Sequence, residues 1–114
     1  TEENYLLRIE DIEYTAKRMM HLGKKEEVIK SIDYVLIESN KNNKKSDKSN
    51  LYKGDFCEDA YKLTNERKYL QMAMKAFQES ARFEDALRTS KLLGNKEKQK
   101  LYSSILLYTN KQDN

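Results

Sequence analysis

Apolar side chains along this chain recur three and four residues apart, the period of a helix buried on one face. Leu6, Ile9, Ile12, Ala16 and Met19 form the first such stripe, widened by Leu7, Met20 and Leu22. Gly23 follows its last apolar position, where a left-handed residue ends helices, and the first helix is predicted to stop there. A second is predicted from about Lys24 to Ser39 on Val28, Ile29, Ile32, Val35 and Leu36. Its Glu26 and Glu27 face the positive end of the helix dipole. A connection this short makes the pair an antiparallel hairpin. Residues 40–50 hold no apolar side chain and predict a flexible, solvated loop, with Ser49 or Asn50 capping the next helix.

Four more helices follow from the same spacing. One covers about 51–65, with Tyr52, Phe56, Cys57, Ala60, Tyr61 and Leu63 inward; its Gly54 reads as a weak first turn or as the true start. Another covers about 66–81 on Tyr69, Leu70, Ala73, Ala76 and Phe77. The next runs from Phe83 to Leu93 and closes at Gly94-Asn95. The last spans about 96–109 on Leu101, Tyr102, Ile105, Leu106 and Tyr108, before a fraying tail at 110–114. No stretch alternates apolar and polar residues for five or more positions without also fitting a helix. The fold class is all-α: about six antiparallel helices stacked as hairpins in a single domain, 1–114.

Composition narrows this picture. In 114 residues there is no proline and there are three glycines, too few turn formers for a sandwich or barrel. Mean hydropathy is −0.98, and no apolar run approaches the roughly 20 residues of a membrane span. The net charge of +3 is too small to point to nucleic acid. Its distribution says more. Residues 1–39 carry six basic and nine acidic groups, 40–53 five lysines and one aspartate, and 54–114 eleven basic and nine acidic groups. A lone Cys57 excludes an internal disulfide and fits a reducing compartment, so a cytoplasmic location is expected. No basic-then-apolar leader opens the chain, and Thr1 in place of Met suggests an excised segment.

Candidate chemistry is sparse. His21, the one histidine, stands at a predicted helix C-terminus, where an imidazolium suits the dipole. A zinc site would need further ligands near it. Cys57 lies on an apolar stripe and reads as packing. The carboxylate pairs Glu2-Glu3, Glu10-Asp11, Glu26-Glu27, Glu58-Asp59 and Glu84-Asp85 read as first-turn charges, because neighbours on a helix point about 100° apart and share no cleft. Three isolated glycines make no phosphate loop. No catalytic residue, metal ligand or cofactor is expected. The lysine cluster Lys41, Lys44, Lys45 and Lys48 lacks aromatics for base stacking, so it reads as solvated or as a contact for an acidic partner. Eight tyrosines lean towards recognition. Tyr34, beside the inward Val35 but off the Ile29–Ile32–Leu36 line, is expected to be partly exposed.

Phe56-Cys57-Glu58-Asp59-Ala60 and Phe83-Glu84-Asp85-Ala86 resemble each other, each expected to open a helix, with Gly23-Lys24-Lys25-Glu26-Glu27-Val28 a looser copy. Met20-His21-Leu22-Gly23-Lys24-Lys25-Glu26-Glu27-Val28-Ile29 resembles the turn and second helix of a tetratricopeptide repeat. Ala73, Ala76 and Phe77 with Ser80-Ala81-Arg82-Phe83-Glu84-Asp85-Ala86-Leu87 resemble the core of another. The resemblance implies a right-handed α-solenoid whose concave face binds a protein or peptide, without catalysis. The expected function is a non-catalytic scaffold module of a larger protein or complex, with oligomerisation open. Two alternatives stand beside it: the peptide-sensing domain of a bacterial transcriptional regulator, and a vesicle-coat-like repeat segment. The residues expected to touch the partner are Tyr34, Lys17, Arg18, Lys68, Lys75 and the four lysines Lys41, Lys44, Lys45 and Lys48.

Overall fold

The computed structural model describes residues 14–42 and 47–113. Helix α1 is described over 14–21, followed by α2 (Lys25–Asn42), α3 (Asp47–Thr64), α4 (Arg67–Glu79), α5 (Phe83–Leu93) and α6 (Lys96–Asp113). There are no strands among the described residues. The expected first-helix positions Leu6, Leu7, Ile9 and Ile12 lie outside them, as do Lys44 and Lys45.

Two boundaries differ from expectation. The apolar-free stretch 40–50 is helical at both ends, since α2 runs on to Asn42 and α3 already begins at Asp47. Asn, Lys, Ser and Asp cost only a few tenths of a kcal/mol each in a helix, and once a helix is nucleated each further residue adds a hydrogen bond. Ser49 and Asn50 consequently lie inside α3 rather than before it. By the same propagation α6 continues to Asp113, through most of the expected tail.

Three turns close in the same way. Gly23 (φ 74°), Ala81 (φ 61°) and Gly94 (φ 70°) are left-handed. The amide of the following residue reaches back five positions: Lys24 to Met19 (2.9 Å), Arg82 to Phe77 (2.8 Å) and Asn95 to Ser90 (3.0 Å). This is the Schellman closure, which satisfies carbonyls a helix end leaves open. The α3–α4 turn uses Asn65 at φ 60°, with the Glu66 amide donating to Thr64 Oγ1 (3.2 Å).

From α3 onward, connections of two to three residues force successive helices to lie side by side. α3 packs on α4, α4 on α5, and α5 on α6. The core between them holds Val28, Ile32, Phe56, Cys57, Tyr69, Phe77, Ala86 and Tyr102. Alanines at 60, 73, 76 and 86 are buried and let helices approach closely. Gly54 is inside α3, not at its start, and Phe77 of α4 lies against it: a Cβ there would stand 2.6 Å from the ring.

Side chains also bridge every second helix. Lys68 and Tyr69 of α4 reach Asp33 of α2, Arg88 of α5 pairs with Glu58 of α3, and Tyr102 of α6 donates to Gln78 of α4. Glu58 therefore does not cap a helix start. It is buried in the middle of α3, so the Phe56 and Phe83 stretches are not structurally equivalent.

Candidate binding groove

Helices α4 and α6, joined through the end of α5, enclose a groove of about 400 Å³. Its α4 wall is a stripe at positions 67, 71, 74, 75 and 78, one row of a helix face. This stripe supplies Arg67, Gln71, Met74, Lys75 and Gln78. Leu93 from the end of α5 and Asn95 and Lys98 from the start of α6 complete it. Three cations line the groove and no carboxylate does. Among the described residues none of the three makes an ion pair.

Each wall is held by the packing behind it. The Arg67 guanidinium donates to the Leu93 carbonyl (2.8 Å), where a cation also favours the negative end of α5. Gln78 accepts from the Tyr102 hydroxyl (2.5 Å), and Tyr102 is fully buried with its ring 6.1 Å from that of Phe83. Burial pushes the Tyr102 phenol above its ordinary pKa, so it stays a neutral donor. Asn95 Oδ1 accepts from the Lys98 amide (3.1 Å), capping α6 and fixing its first turn at the groove edge. The positive end of that helix adds to the field of the three cations.

The expected contact residues do not come together here. Lys75 lines the groove. Lys68 does not: it pairs with Asp33 at 2.9 Å and stands 5.0 Å from the Tyr69 ring centre, holding α4 to α2. Tyr69 donates to the same carboxylate at 2.7 Å, and burial followed by that bond raises its pKa well above the ordinary phenol range. Lys17 and Arg18 are exposed on α1, and Tyr34 is exposed on α2. Lys41 and Lys48 fall in helices α2 and α3.

The chain matches no family model, no curated protein and no solved structure. Its chemistry therefore rests on its own residues. Among those described, no cluster of three His, Cys, Asp or Glu side chains is arranged to hold a metal, and no helix is long and apolar enough to cross a membrane. Cys57 is fully buried, and desolvation pushes its thiol up to about 12, which keeps it protonated and a poor nucleophile. His21 is exposed at the end of α1.

The residues that periodicity overlooked are Arg67 and Lys98. A four-residue recurrence of Arg67, Gln71 and Lys75 beside the apolar stripe of α4 is visible in the sequence. That Lys98, 23 positions beyond Lys75, faces it is decided only by the fold. Leu22, Leu101 and Tyr108 were expected on apolar stripes and are instead exposed, at 70%, 44% and 66%.

Proposed function

We propose that this chain is a non-catalytic helical scaffold whose α4–α6 groove takes an acidic, extended segment of a partner protein. The observation that carries this reading is a lining of three cations without a carboxylate, together with the apolar Met74 and Leu93. Mixed-sign surfaces usually neutralise themselves locally, as ion pairs elsewhere among the described residues do. An anionic chain supplies what the groove lacks, Gln71 offers an amide to its backbone, and the thioether of Met74 adapts to an apolar side chain. The bridging of every second helix is also what a repeat-like stack with one inner face requires, which supports the solenoid arrangement.

The test is fluorescence anisotropy with a labelled library of acidic octapeptides carrying one leucine. The double variant Lys75→Glu/Lys98→Glu is expected to weaken the best binder more than roughly tenfold, because close charge pairs at interfaces couple by over 1 kcal/mol. Binding by the native chain should also fall as salt rises. Equal binding by native and variant chains, or no binding by either at millimolar peptide, refutes the proposal.

A further inference from the structure

The opposite side of α6 presents a different surface. Its inward residues are Tyr102, with Lys98, Gln99, Ile105 and Leu106 partly covered. Facing away is a stripe at positions 97, 100, 101, 104, 107, 108 and 111, every one exposed. It carries three large apolar side chains: Leu101 at 44%, Leu107 at 63% and Tyr108 at 66% exposure. The positions repeat at seven-residue intervals (97, 104, 111 and 100, 107), as in helices that pair along their length.

This stripe is complementary to itself. A two-fold perpendicular to α6 at Ser104 sets Leu101 against Tyr108 and the methylene stem of Lys100 against Leu107. The same rotation sets Glu97 against Lys111. It reverses height along the helix but keeps the lateral side, so 97, 101 and 108 on one side of the stripe face one another in the two copies and 100, 107 and 111 do likewise. Glu97 and Lys111 lie near the midline and meet at equal height. The end charges are opposite, and between them a leucine packs on a tyrosine ring and a leucine on a lysine stem. Ser104, small and central, allows an interaxial distance of about 8–10 Å. Among the described residues neither Glu97 nor Lys111 has an ion-pair partner within its own chain.

We infer that a second copy of this chain docks on this face, α6 against α6 and antiparallel, as an isologous pair with its two-fold at Ser104. The pairing leaves the α4–α6 groove open in both copies, since Lys98 lies on the other side of the helix. One helix face per copy is a small interface, so association is expected at about micromolar to hundred-micromolar concentration.

Sedimentation equilibrium on the full 114-residue chain tests this, with circular dichroism and melting temperature as folding controls. The native chain is expected to dimerise and Leu107→Lys to be monomeric. Glu97→Lys and Lys111→Glu each place two like-charge pairs in the dimer and should weaken it roughly tenfold by the scale of exposed ion pairs. Combined, the two changes restore opposite charges and should recover most of that loss. Ser104→Cys should form an intermolecular disulfide under mild oxidation, while the buried Cys57 does not react. A native chain that stays monomeric, a dimer indifferent to Leu107→Lys, or a double variant no better than the singles overturns the inference. Occupation of this face by a different protein while the chain itself stays monomeric overturns it equally.

Discussion

Gly54 is set by its neighbour rather than by its own propensity. Alanine there would gain about 1 kcal/mol of helix propensity, yet its methyl would overlap the Phe77 ring. Overpacking in a closed core costs roughly 1–3 kcal/mol, so Gly54→Ala is expected to be net destabilising, read as a lower urea midpoint. Asp55 poses an electrostatic case on the same helix. Partial desolvation, then the Asp85 carboxylate, raises its pKa, with Arg82, Arg88 and Lys62 pulling the other way. A carboxyl raised in the folded state favours folding while it is protonated and loses that contribution as pH rises through its folded pKa. Asp55→Asn is therefore expected to raise the melting temperature at pH 7. The gain should disappear below about pH 4, where the unfolded carboxyl also becomes protonated. Melting curves between pH 3 and 7 read this directly. Neither effect is visible in the sequence, because Phe77 and Asp85 stand 23 and 30 positions from the residues they influence.

Among the helices, turn chemistry explains both what could be read in advance and what could not. Gly23 and Gly94 mark their turns because glycine enters the left-handed region without a Cβ penalty. Ala81 makes the same turn with a methyl group and gives no such signal. Ala81→Gly is expected to stabilise the chain by up to about 1 kcal/mol, since the left-handed cost to an L-residue of roughly 1–2 kcal/mol outweighs the added chain entropy. Chemical denaturation should show it as a shift in midpoint at unchanged slope. Inward positions such as Val28, Ile32, Tyr69 and Phe77 were legible from spacing alone, because a one-faced helix has only one way to bury its stripe. Helix ends in the polar 40–50 stretch were not, since continuing a helix there changes little in apolar burial. The outer helix is the revealing exception: α6 has apolar residues on both faces, so periodicity could not tell Tyr102, which is buried, from Tyr108, which is not.

Taken whole, the chain is drawn out rather than round. Its radius of gyration is 15.2 Å, against about 13 Å expected for a compact chain of this length. Its extents are 50 × 30 × 19 Å. Elongation gives α4 and α6 room to flank a groove that a closed bundle would fill with side chains. The groove could not be read from the sequence, because it depends on which helices lie two apart in space and on which cations find no partner. From α2 to α6, among the described residues, helix backbones approach only the next helix in the chain, and side-chain bridges reach one further. This short reach has a mechanical consequence. Tension between α2 and α6 loads the junctions in series, where compliances add and each carries the full force. Such a stack yields first at its weakest junction and peels helix by helix, behaving as a soft spring between whatever its two ends are tied to.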